Sequence, residues 1–262
     1  KINNDLAEKN CLFLKKELEK YDYVVANLES PLTDRHHTLV CKSMHLKSST
    51  CNAELLKFLN VSAVSLANNH IMDYGYGGAY DTIKILEREN INWFGLDNRD
   101  HRIDIEGQRV SFSGFCCYST NGTYYGRDKG INTLTYNNVE QQLKKDKKDN
   151  YFSCLSLHWG MEHTNYPAYE HIQMIHQLLS DNDAIVAGHH PHVIQGIESY
   201  RNSLIAYSLG NAVFDTCISR NGKLRVDLNE DNRKGFIFVV DLQNNSIKDF
   251  SVVGFYISEN GI

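Results

Sequence analysis

The sequence predicts an α/β fold in a single domain that spans residues 1–262. Three observations predict it. Short apolar runs alternate with longer amphipathic segments in the first part of the chain, and more strand-like runs follow in the C-terminal half. No long linker rich in Gly, Ser or Pro and no internal repeat divides the chain.

The composition excludes several classes of protein. Apolar residues make up 42% of the chain and charged residues 23%, close to the globular average, which excludes a disordered, collagen-like or coiled-coil chain. No apolar run reaches the ~18 residues that a membrane helix needs. The formal net charge is -5, with 27 basic against 32 acidic residues, and this balance argues against nucleic-acid binding.

Helices are predicted where apolar residues recur every three to four positions. The clearest helix is 76–89, in which Ile83 and Leu86 share a face. Other helices are expected at 15–20, 53–59, 139–148 and 169–179. Strands are predicted at the short apolar runs 24–26, 61–66, 91–94, 109–115, 152–157, 184–187, 203–208, 236–242 and 251–256. The polar segment 219–234 is expected to be an exposed loop or hairpin.

The seven cysteines favour a reducing compartment. Their number is odd and no Cys-x-x-Cys pair occurs, which is typical of free thiols in the cytoplasm. The sequence starts at Lys1 without a charged segment followed by an apolar one, so either a leader has been removed or the sequence begins internally. A cytoplasmic location is the prediction from these features.

Four segments place metal-competent side chains directly after predicted strands, where the sites of α/β sheets usually lie. A histidine at one such place is more often a structural residue. His190 and His192 are a stronger signal, because alternate residues of an extended segment can reach one ion. The order of the whole set is the specific signal. The segments are 24–31, 64–73, 155–162 and 185–192, and a fifth, 206–211, has the same form without a histidine.

In this order, the motifs resemble the CapA (PgsA-like) family of bacterial capsule and poly-γ-glutamate synthesis proteins. The matching stretches are 27–32, 65–75, 158–162, 188–196 and 207–211. The family belongs to the calcineurin-like metallophosphoesterase superfamily. The resemblance therefore implies a four-layer αββα sandwich with two mixed β-sheets.

The resemblance also implies a site for two divalent metal ions, with Mn, Fe or Zn suiting its imidazole and oxygen ligands. Glu29 stands where the superfamily has a bridging Asp. His70 stands at the position of a histidine that protonates the leaving oxygen. The other implied metal ligands are Asn69, His158, His190 and His192.

Further residues are expected to support this site. Asp73 either orients an imidazole, as a part of the catalytic machinery, or caps the helix that follows. Glu162 is a second candidate for orienting an imidazole, and Trp159 is either a wall of the pocket or a core aromatic. The remaining predicted pocket residues are Asn27, Asn68, His189 and Asn211.

The sequence departs from the family at its start. The family begins with a strand that ends in Gly-Asp and supplies a metal ligand, and no such strand precedes Val24.

Two functions follow from the resemblance. The first is a metal-dependent hydrolase or transferase that acts on a phosphate ester or on an anionic polymer such as poly-γ-glutamate. The second is a non-catalytic capsule-assembly component that binds an anionic polymer or a membrane synthase partner, and members of the family are often membrane-anchored and face outward.

Overall fold

The structure is a computed structural model that describes residues 9–38, 42, 44–117, 129–214, 217–218 and 225–258. Its helices are α1 (Leu12–Leu18), α2 (Ala53–Phe58), α3 (Gly75–Arg88), α4 (Tyr136–Lys148) and α5 (Tyr169–Leu178). Its first nine strands are β1 (Val25–Asn27), β2 (Ala63–Ser65), β3 (Asn92–Phe94), β4 (His101–Ile105), β5 (Gln108–Cys116), β6 (Phe152–His158), β7 (Ala184–His189), β8 (Ile197–Tyr200) and β9 (Ser203–Ala206). The last four are β10 (Cys217–Ile218), β11 (Arg225–Val226), β12 (Lys234–Gln243) and β13 (Ser246–Tyr256).

The first three strands form a parallel sheet in the order β1-β2-β3, with β1 at one edge. The intervening α2 and α3 make the crossover connections that parallel strands require. Ala79, Ile83 and Leu86 of α3 belong to one apolar cluster with Val64 and Trp93 of the sheet. The 3.6-residue period of α3 therefore matches the face that it buries.

A second sheet has six strands in the order β4-β5-β6-β7-β9-β8. The four inner strands are parallel, whereas the edge strands β4 and β8 are antiparallel to their neighbours. Helices α4 and α5 cover one face, where Leu143 and Ile175 join Leu155 and Val186 in a second apolar cluster. This sheet is mixed, as expected, while the three-stranded sheet is parallel throughout.

The two sheets face each other between these helical layers. A Cβ added at Gly114 of β5 would lie 2.6 Å from the Ser65 hydroxyl of β2, so the backbones approach closely at this point. The Phe94 and Phe112 rings also meet across the gap, with centroids 6.1 Å apart. The resulting order of layers is helix, sheet, sheet, helix.

A large cavity of about 2190 Å³ separates the sheets on the side of β1. Val25 of β1, Phe112 and Ile185 of the six-stranded sheet and Phe238 of the β12–β13 hairpin line its apolar part. Glu29 and several histidines form its polar end. The cavity therefore borders both apolar strands and the polar residues that follow β1 and β7.

The predicted helices and strands that fall in the described residues all occur there, with ends shifted by a few residues. Strand β4 was missed, because His101, Arg102 and Asp104 resemble a charged turn, yet their strand pairs with β5 at an edge of the sheet. The segment 219–234 includes β11, which pairs antiparallel with β10 as the hairpin alternative predicts. It also contains Asn232, which is 3% exposed, so the segment is not exposed throughout. Residues 219–224 lie outside the described residues.

None of the described helices is both long enough and apolar enough to cross a membrane. No disulfide joins the cysteines that belong to the described part of the chain.

Candidate metal centre

The carboxyl ends of four parallel strands bring the predicted ligands together between the two sheets. His158 is the last residue of β6, and its Nε2 lies 2.9 Å from Oδ1 of Asn69, which follows β2. The same nitrogen lies 3.7 Å from Oε1 of Glu29, which follows β1. His192, beyond the end of β7, places its Nε2 3.3 Å from that carboxylate oxygen. Residues up to 163 positions apart in the sequence thus meet around the Glu29 carboxylate.

Glu29, His158 and His190 form a group whose ligand atoms all lie within 4.8 Å of one another. His158 is fully buried and His190 is 6% exposed. The rings of these two histidines are tilted against each other with centroids 4.9 Å apart. We name this group the inner group.

The inner group fits a divalent cation. His158 Nδ1 and His190 Nδ1 are buried and have no hydrogen-bond partner within the described residues, and Glu29 Oε1 is buried with only the imidazoles around it. Buried polar atoms in native proteins nearly always have partners, so two orphaned nitrogens in one group require an explanation. A carboxylate with imidazoles is a donor set that suits Mn, Fe or Zn.

Burial keeps three of the histidines neutral, which leaves a ring nitrogen able to bind a metal. It lowers the pKa of His189 and of His190 to about 4, and it holds the pKa of His158 well below its usual range. His192 differs from these three. Burial alone would lower its pKa, but the Glu29 carboxylate outweighs burial and raises the pKa to about 9.

Glu29 and His192 therefore form an ion pair in the metal-free protein. Burial opposes the ionisation of Glu29, yet the positive charge of His192 outweighs it and helps to hold the pKa of Glu29 well below its usual range. Each partner thus keeps the other charged near neutral pH.

The stability of the metal-free protein is expected to fall as the pH rises from about 6.5, the pKa of an unfolded histidine, to about 9. His192 has its pKa raised to about 9 in the folded state, so its contribution is complete below about 6.5 and lost on passing through 9. The check is the melting temperature of chelator-treated protein against that of His192→Gln across this range. The difference between the two proteins should shrink at high pH; a constant difference would contradict the ion pair.

A network of amide side chains fixes Glu29. Asn68 donates from Nδ2 to the Leu28 carbonyl at 2.8 Å and to Asn27 Oδ1 at 3.2 Å. Asn27 in turn donates to Glu29 Oε2 at 3.0 Å, so one carboxylate oxygen is held and the other, Oε1, faces His158 and His192. Asn68 also accepts from the backbone N–H of His70 at 3.2 Å. It therefore links the segment that carries Glu29 to the segment that carries His70.

Asp73 orients His70 and does not cap a helix. The N-cap of α3 is Tyr74, whereas Asp73 Oδ2 lies 2.7 Å from His70 Nδ1 and accepts from the Leu46 N–H at 2.6 Å. Lys42 completes this arrangement by donating from Nζ to Asp73 Oδ1 at 2.8 Å. Of the two alternatives that the sequence left open for Asp73, the geometry therefore selects the orientation of an imidazole.

The segment after β7 is held in an unusual backbone conformation. His190 and His192 have φ angles of 97° and 56°, which are uncommon for residues other than glycine. Asn211 Oδ1 lies 2.8 Å from His192 Nδ1, and Asn232 donates to the His192 carbonyl at 2.9 Å. These contacts hold the His192 imidazole beside the Glu29 carboxylate.

Three further predicted residues have distinct positions. Trp159 is 1% exposed, stacks between His171 and Tyr207, and donates to the Tyr207 carbonyl at 3.0 Å, so it is a core aromatic rather than a wall of the pocket. His189 pairs with His158 across the sheet and lines the cavity. Glu162 is exposed and lies with His190 and His192 in a second group of metal-competent residues.

Lys42 and Asn232 are the site residues that motif reasoning missed. Each lies in a polar stretch, and each acts through a partner distant in sequence: Lys42 is 31 residues from Asp73, and Asn232 is 40 from His192. No local pattern marks such a contact. Only the tertiary structure, which buries Asn232 and half-buries Lys42 against Asp73, identifies them.

A profile described as "Bacterial capsule synthesis protein PGA_cap" matches residues 8–216. The "PGA biosynthesis protein CapA" of Bacillus subtilis is 30% identical over 203 residues, which are 74% of this chain and 53% of that protein. The "Capsule biosynthesis protein CapA" of Bacillus anthracis is 29% identical over 212 residues, which are 76% of this chain and 52% of that protein. The chain therefore spans about half the length of the curated relatives that it matches.

Among solved structures, the NAD nucleotidase (NadN) of Haemophilus influenzae aligns with 95% of this chain and 43% of its own, with a TM-score of 0.53 and 13% identity. A likeness at this identity shows the fold alone. The layered architecture is the calcineurin-like metallophosphoesterase fold.

Proposed function

The chain belongs to the bacterial capsule synthesis protein family PGA_cap, and from this premise we propose that it is a metal-dependent hydrolase or transferase of capsule or poly-γ-glutamate biosynthesis. The observation that carries the proposal is the inner group, in which a carboxylate and two buried imidazoles bring ligand atoms within 4.8 Å of one another. The substrate class is a phosphate ester or an anionic polymer.

The residues divide into ligands and a proton donor. Glu29, Asn69, His158, His190 and His192 would hold two ions, which supply Lewis acidity towards a phosphoryl oxygen when bound. The chain itself is negatively charged, with a formal charge of -5, so bound cations are also the local positive charge that an anionic substrate needs.

His70 is the proposed proton donor to the leaving oxygen. Its Nδ1 is engaged by Asp73 at 2.7 Å, which leaves Nε2 as the nitrogen that exchanges a proton with a substrate. Asp73 is itself buried and tied to Lys42 and to the Leu46 N–H, so the imidazole is held in one orientation. This arrangement is typical of a positioned general acid.

The test is metal content by ICP-MS on protein purified without chelator. We expect one to two equivalents of Mn, Fe or Zn in the wild type and loss of metal in the His158→Ala/His190→Ala double variant. His37→Ala/His176→Ala is the matched control, because it also removes two histidines but none from the site. Wild-type protein that stays metal-free after incubation with Mn²⁺, Fe²⁺ and Zn²⁺ would overturn the proposal.

A screen of phosphomonoesters and phosphodiesters then tests catalysis. His70→Ala should retain the metal of the wild type and lose turnover by about 10²–10⁴-fold, the range for a general acid. Metal binding without any turnover, together with retained binding of an anionic polymer, would instead support the non-catalytic assembly role.

A further inference from the structure

Next to the inner group lies a second group that shares one member with it. Glu162, His190 and His192 offer ligand atoms that all lie within 4.8 Å of one another. We name these three residues the outer group. Two members of the inner group, His158 and His190, are buried and Glu29 is partly buried, whereas Glu162 in the outer group is exposed.

Two backbone hydrogen bonds fasten the loop that carries Glu162 to the loop that carries the histidines. The Trp159 N–H donates to the His189 carbonyl at 3.0 Å, and the His163 N–H donates to the Pro191 carbonyl at 2.8 Å. Glu162 lies between these two anchor points in the sequence. Its carboxylate therefore reaches the outer group through fixed backbone geometry and not through a freely moving loop.

A third anchor comes from the far end of the chain. Asn232 Nδ2 lies 3.0 Å from His163 Nδ1 and donates to the His192 carbonyl at 2.9 Å. Asn232 is 3% exposed, so one buried amide ties together the residue after Glu162 and the second histidine of the outer group. The three anchors fix both loops relative to each other.

The carboxylate of Glu162 makes no other polar contact with the described part of the chain. No hydrogen bond or ion pair of the described residues involves its side-chain oxygens, although two histidines lie beside it. The positive φ angles of His190 and His192 show that both are held in place at some conformational cost. A neutral imidazole binds one ion through one lone pair, so His190 serves the inner group, and Glu162 and His192 are left as ligands for a second divalent transition-metal ion.

We propose that Glu162 is a direct ligand of a second, solvent-facing cation position, formed with His192 beside the inner group. This inference rests on the proposed function, since it assigns the second ion of that site to a residue that was expected only to orient an imidazole. The outer ion is the more exchangeable one, because its carboxylate ligand is exposed. It is also the ion that an incoming anionic substrate meets first.

The experiment is a Mn²⁺ titration of metal-free protein by calorimetry, with bound Mn²⁺ followed by electron paramagnetic resonance. Wild-type protein should bind two equivalents and show the magnetic coupling of neighbouring ions. Glu162→Gln should bind one equivalent with unchanged affinity and a second at least about 10-fold more weakly, since even the loss of an outer partner of a ligand costs 10–100-fold. The coupling should disappear with it.

Glu170→Gln is the matched control, because Glu170 is exposed and lies on α5 outside both groups. It should behave as the wild type does. An unchanged second binding event in Glu162→Gln, or a single equivalent in both proteins, would overturn the outer position and leave the proposed function standing. A wild type that binds no Mn²⁺, Fe²⁺ or Zn²⁺ would overturn both, and the melting temperature of Glu162→Gln, expected to equal that of the wild type, shows that the variant is folded.

Discussion

Replacing Asp73 with alanine is expected to lower the free energy of unfolding by about 3–5 kcal/mol, the cost of removing one partner from a buried ion pair. The Asp73 side chain is 1% exposed and that of Lys42 is 12% exposed. Without the carboxylate, the Lys42 ammonium would lose its ion-pair partner and keep its hydrogen bond to the Asn69 carbonyl, while the Leu46 N–H and His70 Nδ1 would each lose the Asp73 oxygen that they contact. Urea denaturation followed by circular dichroism measures the loss.

A control variant separates the loss of the buried ion pair at Asp73 from the general effect of removing an aspartate. Asp231→Ala removes an ion pair with Lys234 whose side chains are 54% and 43% exposed, and such pairs contribute little. The Asp73→Ala/Lys42→Met double variant should be more stable than the sum of the two single changes predicts, because no buried charge is left without a partner. Asp73→Ala that unfolds no more easily than Asp231→Ala would refute this account.

Gly188→Ala is expected to destabilise the protein by about 3 kcal/mol, the upper part of the range for overpacked cores. A Cβ at Gly188 would lie 1.9 Å from the Tyr207 carbonyl oxygen and 2.8 Å from Trp159 Nε1. The obstacle is backbone, which cannot rotate away as a side chain can. Because Gly188 precedes His189 in β7, the shift should also disturb the histidine segment.

The measurement is urea denaturation together with the near-ultraviolet circular dichroism of Trp159. Gly196→Ala is the control, since nothing lies within 4 Å of a Cβ there, and its effect should stay within about 0.5 kcal/mol. Equal stability of Gly188→Ala and Gly196→Ala would contradict the prediction. It would mean that β7 and the Tyr207 backbone can move apart at little cost in free energy.

The sequence was sufficient to predict the elements that carry the ligands. The apolar runs ending at His158 and before His190 predict buried parallel strands, and the carboxyl ends of such strands meet at one edge of a sheet. The spacing of apolar residues along the sequence also predicted α3, whose buried residues recur with the period of a helix. Local order and strand-end geometry therefore account for the strands that carry the inner group, whereas the ligand roles of its members were implied by the resemblance to the family.

Other parts of the site depend on contacts that no local pattern encodes. Lys42 reaches Asp73 from another loop, and Asn232 reaches His163 across 69 residues. The function of Trp159 was ambiguous for the same reason, because its burial depends on Tyr207 and His171, which other segments supply. Polar residues in loops have no periodicity, so only the folded chain distinguishes a buried anchor from a solvated side chain.

The backbone at His190 sets a limit on how this protein can change. Glycine adopts a φ angle of 97° without steric strain, whereas this angle is unfavourable for any residue with a Cβ. Selection for thermal stability alone would therefore favour glycine at position 190, and it would discard the imidazole that both groups share. A histidine at this position is a trade-off in which stability is given up for a ligand, and engineering for robustness has to leave this position untouched.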